Sequence, residues 1–329
     1  MKELCFSGIK PTNIIHIGNY IGALKQWTEI QHRYPCLFCI VDLHAITVPQ
    51  DPKELRENNL LLAATYLATG LDPKRSYIFL QSEVAEHTEL AWILGTVTKH
   101  AELERMTQYK DLAKKHKEGV GVGVFTYPAL MAADILLYDT TDVPVGEDQL
   151  QHVELTRTVA KRFNKQFGDT FVIPKSLVQK TGARIMGLDD PKVKMSKSAS
   201  SSLNYIALTD SDDDIVKKIK KAVTDSGSDI VYDPEKKPAL ANLMAIYHHA
   251  AGANMKELEK RFEGKGYGDF KKDLAEAVIG MVKPIREKIE HYMSDQIELY
   301  RVLDAGRNAA KEMAAKKMEI VRKNVGLGR

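Results

Sequence analysis

Two short clusters carry residue types suited to handling a polyphosphate. His16-Ile17-Gly18-Asn19 stands between a strand-like run and a helical one. The first turn of a helix offers unpaired amide groups and the positive end of its dipole, which suits a phosphate. Positions 16 and 19 lie three apart on one helix face, so an imidazole and a carboxamide are expected to project toward the same anion. Gly18 is expected to leave room for a flat group such as an adenine ring. Lys194-Met195-Ser196-Lys197-Ser198 is the second cluster, two lysines and two hydroxyls that make a donor-only clamp for phosphate oxygens. Taken alone, the first cluster reads as a capped helix with incidental His and Asn, and the second as an ordinary Lys/Ser surface loop.

A third feature is Asp134, which interrupts the apolar run Ala129–Leu137. A carboxylate there is costly unless it has a partner, the alternative being a place on the polar face of that helix. Cys36 and Cys39 form a C-x-x-C, but residues three apart in a strand face opposite sides and there is no second pair. Buried thiols rather than zinc ligands are expected, and no metal site. His248, His249 and His291 fall in helical stretches where packed or solvated histidines are ordinary.

These clusters need elements to hold them. Leu4–Phe6 reads as a short strand ending at Ser7-Gly8, and Leu37–Val41 as a continuous apolar strand buried on both faces. Ile21, Leu24, Trp27 and Ile30 recur between them at helical spacing. Asp51 as N-cap, Pro52 at N1 and Glu54 at N3 start a helix that Gly70 ends. Tyr77–Leu80 is a third strand, followed by a helical stretch through Trp92 and Leu94. Such alternation predicts an α/β, Rossmann-like, doubly wound parallel sheet. Lys110–Gly123 reads as a mobile surface connection, 125–138 as a helix, Asp142–Val145 as a brief strand, Gln149–Phe163 as a helix and 180–202 as a loop. From Thr209 onward only helices are predicted: one opened by Asp212–Asp214, then Leu240–Ala250, Met255–Phe262, Phe270–Tyr292 and Ile297–Val325, an all-helical C-terminal domain without internal repeats.

Composition bounds the possibilities. The chain has 329 residues, 44% hydrophobic and 28% charged, which excludes a disordered or collagen-like chain. No apolar run approaches the roughly 20 residues a bilayer demands, so no membrane association is expected. Three cysteines cannot build a disulfide framework and point to a reducing compartment. No secretory leader is visible, and a cytoplasmic protein is expected. The net charge is only +3, but Leu299–Arg329 holds eight Lys or Arg against three Asp or Glu. That tail suits either a polyanion or a solvated helix face.

The two clusters, in this order on either side of a parallel-sheet domain, resemble the signature of the class I aminoacyl-tRNA synthetases. Ser7-Gly8-Ile9-Lys10-Pro11-Thr12, Gly18–Leu24, Met131–Leu136, Val145-Gly146-Glu147-Asp148-Gln149 and Gly182–Met186 narrow the resemblance to the bacterial-type tryptophanyl-tRNA synthetases. It covers essentially the whole chain, including the Gly326-Leu327-Gly328 ending. The resemblance implies ATP as co-substrate with Mg²⁺, L-tryptophan and tRNA(Trp) as the other substrates, and a homodimer. It implies a catalytic domain over residues 1–208, with a connective insertion at about 105–170, and a tRNA-binding helical domain over 209–329. His16, Asn19, Lys194 and Lys197 would be catalytic. Lys10, Pro11, Thr12, Gly18, Asn19, Gly146, Glu147, Asp148, Ile185, Lys194, Met195, Ser196, Lys197 and Ser198 would hold ATP. Phe6, His44, Tyr127, Met131, Asp134 and Gln149 would line the tryptophan pocket, with Asp134 accepting the indole N–H.

Three departures stand out. Lys10 replaces a usual glutamine, position 16 is His where many bacterial relatives have Thr, and 110–123 differs in length, leaving Lys114, Lys115 and Lys117 as alternative ATP contacts. Competing readings are the tyrosine branch of the same fold, a non-catalytic RNA-binding relative, and a small-molecule nucleotidyltransferase. The last does not explain the long helical region, where Arg301, Arg307 and Lys311 are candidates for reading tRNA.

Overall fold

The computed structural model describes residues 3–12, 14–115, 121–178, 184–197, 199 and 201–329, with side chains omitted for 112–115. Five strands, β1 (Cys5–Ile9), β2 (Cys36–Ile40), β3 (Ser76–Leu80), β4 (Asp142–Val145) and β5 (Lys175–Val178), form one sheet in the order β3-β2-β1-β4-β5. Every pairing is parallel. β2 is buried at all five positions, as its unbroken apolar run requires of a central parallel strand. Its side chains alternate between two cores: Cys36, Phe38 and Ile40 enter one with Cys5, whereas Leu37 and Cys39 enter the other with Phe6. The C-x-x-C cysteines therefore lie on opposite faces, buried and free.

β1 does not stop at Ser7-Gly8, because both residues pair in register with Phe38 and Cys39 and carry the strand to Ile9. After it come α1 (Ile17–Asn19), a π-helical turn over Tyr20–Leu24 and α2 (Lys25–Ile30). α3 (Asp42–Ala45) directly follows β2. α4 (Pro52–Ala68) starts as its cap residues dictate: the Asp51 carboxylate accepts from the amides of Lys53 and Glu54 at 2.9 Å. α5 (Glu86–Val97), α6 (His100–Glu104), α7 (Thr107–Lys115), α8 (Val122–Leu136) and α9 (Leu150–Phe167) complete this part of the chain. The segment from Lys110 is thus helical to Lys115 rather than a bare connection. Met106 and Leu103 are buried beside it, which gives α7 a surface to pack on. β5 has no counterpart in the sequence reading. With two apolar residues in four, it is held as an edge strand by its ladder to β4.

Beyond residue 209 the structure is helical: α10 (Asp212–Lys221), α11 (Pro238–Ala251), α12 (Met255–Arg261), α13 (Tyr267–Ser294) and α14 (Gln296–Val325). α10 has Ser211 as N-cap, three aspartates in its first turn and three lysines in its last, matching the dipole at both ends. α10, α11 and α13 share the core beneath one face of the sheet. α14 starts in that core with Leu299, Val302 and Leu303, then runs along β3, an outer strand of the sheet, and its Ala310, Ala314, Met318 and Val321 join the opposite core. A side chain at Gly306 would overlap the carbonyl oxygen of Ile78, so only glycine permits this approach.

Candidate active site

From β1 the chain moves outward to β2 and β3 on one side, then returns to β4 and β5 on the other. Ligands of open α/β sheets bind at such a switch, in the crevice at the carboxyl ends of the strands. Here that crevice lies between the segments that follow β1 and β4, which contain Lys10-Pro11-Thr12 and Gly146-Glu147-Asp148-Gln149.

On one side of the crevice, His16 is the N-cap of α1 and is 5% exposed. Its Nδ1 accepts from the amide of Asn19 at 3.3 Å, while Asn19 Oδ1 accepts from the amide of His16 at 3.2 Å. The i,i+3 spacing therefore makes a reciprocal cap rather than two side chains simply aimed at an anion. That cap has a chemical result. With Nδ1 unprotonated, the neutral ring carries its proton on Nε2, and Asn19 keeps its NH₂ group, so both residues retain donors for phosphate oxygen. Burial, assisted by the positive charge of Lys194, lowers the His16 pKa to about 4 and keeps the ring neutral at pH 7.

The second cluster is tied to the same place. Ile17 donates its amide to Ile206 O at 2.9 Å, and Leu208 donates to Ile15 O at 2.9 Å. Asn204, just upstream, accepts from the Ser196 amide at 3.0 Å and donates to Asp189. The loop folds on itself through Met195 N to Ile185 O at 3.1 Å and Gly187 N to Val193 O at 2.8 Å. Met195 and Ile185 are buried. A Cβ at Gly18 would lie 3.0 Å from His16 Nδ1 and 3.6 Å from Ile185 Cβ, so this glycine serves close packing of the imidazole and the loop. Lys194 is exposed and Lys197 half-buried, and neither has a carboxylate partner among the described residues. Ser198, Lys117 and the side chains of Lys114 and Lys115 lie outside the described residues.

Asp134 marks the other side. It is 2% exposed on α8 and is not on a polar face. Three side chains donate to it: Gln81 Nε2 to Oδ1 at 2.6 Å, His87 Nδ1 to Oδ1 at 2.7 Å and His44 Nε2 to Oδ2 at 2.8 Å. Burial alone would raise its pKa, but the two imidazole donors overcome that and hold the carboxyl below the usual carboxylate range. The Tyr127 ring stands edge-on to His44 at 6.0 Å. Its hydroxyl donates to Gln108 Oε1 at 2.9 Å and lies 2.7 Å from His152 Nε2. Burial pushes the Tyr127 pKa up and that of His152 down to about 4. Phe6 stacks on Tyr138 at 5.8 Å, and Met131 packs half-buried on the same core. Gln149 donates to Asp148 Oδ2 at 3.0 Å.

Lys10 reaches toward the Asp134 side. Its ammonium stands 5.5 Å from the centre of the Tyr127 ring, within reach of a cation–π attraction. The residue keeps an exposed surface, yet the protein around it strips enough water to lower its pKa. Pro11 is buried and Thr12 half-buried beside it, while Gly146, Glu147 and Asp148 are exposed after β4.

Gln81, His87, Gln108, Tyr138 and His152 belong to this constellation and were not found in the sequence. The buried Asp134 was the available signal, since it demands donors, and Gln81 immediately follows β3 just as α3 with His44 follows β2.

A parallel sheet whose switch crevice joins a capped His/Asn turn to a lysine-bearing loop defines a nucleotide-handling site of one kind. The family described as "tRNA synthetases class I (W and Y)" matches residues 2–283, and the chain belongs to it. The chain is 51% identical to the tryptophan–tRNA ligase of Halalkalibacterium halodurans, over 100% of this chain and 99% of that one. It is likewise 51% identical to that of Bacillus subtilis, with the same coverage. Its fold is similar to the crystal structure of tryptophanyl-tRNA synthetase from Mycoplasma pneumoniae, with a TM-score of 0.90, 35% identity and coverage of 100% and 99%. The tryptophanyl-tRNA synthetase of Campylobacter jejuni, complexed with ADP and tryptophan, is similar with a TM-score of 0.85, 38% identity and coverage of 98% and 100%.

Proposed function

We infer that the chain joins L-tryptophan to tRNA(Trp) in two steps, with ATP as co-substrate. The observation that carries this reading is the meeting of residues 16–19 and 185–197 at one end of a crevice whose other end holds the Asp134 carboxylate. In the first step a tryptophan carboxylate oxygen attacks the α-phosphorus of ATP. The bond to the bridging oxygen breaks, and pyrophosphate leaves with its electron pair. The substrate is its own nucleophile, so the protein contributes position and charge. His16 and Asn19 offer neutral donors to the phosphates, while Lys194, Lys197 and Ser196 follow the departing pyrophosphate. Glu147 and Asp148 suit the ribose hydroxyls as acceptors, and Ile185 and Gly18 flank the adenine. Lys10, between Tyr127 and the phosphate side, places a cation where carboxylate and α-phosphate meet. Mg²⁺ arrives with ATP as part of the substrate. In the second step a hydroxyl of the terminal adenosine of tRNA attacks the acyl carbon and AMP leaves.

Asp134 accepts the indole N–H, Phe6 and Met131 flank the ring, and Tyr127, Gln149 and His44 complete the pocket. Residues 1–208 form the catalytic part, with its connective insertion at 105–170. Residues 209–329 face tRNA, with Arg301, Arg307 and Lys311 on α14 as contacts. The protein works in the cytoplasm, where tRNA is charged, as a homodimer.

The test is exchange of labelled pyrophosphate into ATP. Exchange that requires tryptophan and is not supported by tyrosine is the expected result; absence of exchange by folded protein, or exchange driven by tyrosine, overturns the reading. Triple replacement of Arg301, Arg307 and Lys311 by Ala is expected to weaken tRNA charging about tenfold or more, with a reduced salt dependence, and to leave exchange unchanged. Equal loss of both activities overturns that assignment.

A further inference from the structure

Asp134 has more partners than a simple acceptor needs, and their arrangement is asymmetric. A carboxylate offers about two lone pairs on each oxygen. Oδ1 receives Gln81 Nε2 at 2.6 Å and His87 Nδ1 at 2.7 Å, so it is saturated. Oδ2 receives only His44 Nε2 at 2.8 Å. Behind His87 the Tyr138 hydroxyl lies 2.8 Å from Nε2. A neutral imidazole that donates from Nδ1 must accept at Nε2, so the Tyr138 O–H selects the tautomer that Asp134 requires. Gln81 Oε1 is buried with no partner, which orients the amide by its NH₂ end alone, toward the carboxylate. All of these groups are buried, and Tyr138 is itself held by Phe6 at 5.8 Å and by Phe79 edge-on at 6.0 Å.

We propose that His87, Tyr138 and Gln81 are positioning residues for substrate choice: they saturate Oδ1 of Asp134 and leave one lone pair of Oδ2 as the acceptor that the carboxylate offers to the ring N–H of tryptophan. The proposal rests on the reading that Asp134 takes that N–H. Its chemistry is selective in one direction. The two neutral imidazoles cannot turn around to donate to a ligand, because each gives its one N–H to the carboxylate, and Gln81 gives it one of its two. A side chain of the same shape without a ring donor leaves the lone pair unmatched, and a hydrogen bond to a charged group is worth about 1.5–3 kcal/mol, or about 10- to 100-fold.

The full-length protein is assayed by pyrophosphate exchange with tryptophan and with benzothienylalanine, in which sulfur replaces the ring N–H. Tyr138→Phe keeps every ring contact and loses only the tautomer-selecting hydroxyl. His87→Phe keeps the stacking on Phe79, at 6.1 Å, and removes the donor. Expected is a fall in kcat/KM for tryptophan of about tenfold in His87→Phe and about threefold in Tyr138→Phe, carried by KM. The sulfur analogue should change less than twofold and the KM for ATP should not move, so the preference for tryptophan collapses. Equal losses for both substrates, or an undiminished preference, overturn the proposal. Asp134→Asn separates the two levels: if it too retains the preference, the reading of Asp134 fails. If it loses the preference while Tyr138→Phe and His87→Phe keep it, the positioning role alone fails. Should His87→Phe not fold, Tyr138→Phe decides.

Discussion

Around Asp134 the polar groups are buried and joined by bonds of 2.6–2.8 Å, whereas Lys194 and Lys197 reach from a half-exposed loop and find no carboxylate among the described residues. On the function proposed, the two ends of the crevice would solve different problems. Telling one aromatic amino acid from another depends on a desolvated acceptor whose geometry exists before the ligand arrives. Holding a triphosphate and releasing pyrophosphate depends on cations that stay hydrated until the nucleotide comes and can travel with it. His16 lies between these regimes: its acceptor atom is locked into the helix cap while its donor atom is left to the ligand.

The sharpest way to break this contrast is at its rigid end. Asp134→Ala strands three buried donors, so a stability loss of about 3–5 kcal/mol is expected in denaturant melts, with a fall of at least about 10³-fold in kcat/KM for tryptophan. A variant with unchanged stability would mean that the donors find water and the pocket is not pre-built. At the mobile end, Lys194→Ala and Lys197→Ala are each expected to lower the rate of exchange about 10²-fold while shifting stability by no more than about 0.5 kcal/mol. Tryptophan binding without ATP, followed by fluorescence quenching or calorimetry, should stay within twofold. A large loss of tryptophan affinity would join the two ends into one unit.

The contrast can also be tested through pH. The folded-state pKa of His16 is lowered to about 4 from an ordinary value near 6.5, so the unfolded chain binds more protons between those values. Its contribution is therefore complete above about pH 6.5 and is lost as the pH falls toward 4, amounting to about 3 kcal/mol at most. His152 adds a parallel loss in the same window. Urea midpoints at pH 7 and 4.5 should differ less in His16→Asn than in the wild type. An identical slope would place His16 in contact with bulk water.

Much of this architecture could be read in advance, for physical reasons that differ between elements. β2 was legible because a strand buried on both faces must be apolar throughout, and α4 because Asp51-Pro52 can hardly be anything but a helix start. β5 was not, since Lys175 and Ser176 satisfy no burial pattern and the strand exists through its backbone ladder to β4. α7 was hidden by lysines that suit a loop as well as an exposed helix face. In the site, His16, Asn19 and Lys194 advertise themselves by local spacing. Gln81, His87 and Tyr138 do not, because Gln81 and His87 meet a carboxylate 53 and 47 positions away, and Tyr138 meets His87, 51 positions away. Their relation is a consequence of folding and has no local imprint.

The glycine at 306 finally bears on how the molecule could be divided. A fragment ended before Gln296 would strip the flank of β3 down to bare peptide groups, an invitation to pair with the same strand of another molecule. Catalytic machinery built on residues that precede the last helix is thus not severable from it. An insoluble fragment would then report an uncapped sheet margin and say nothing about lost chemistry.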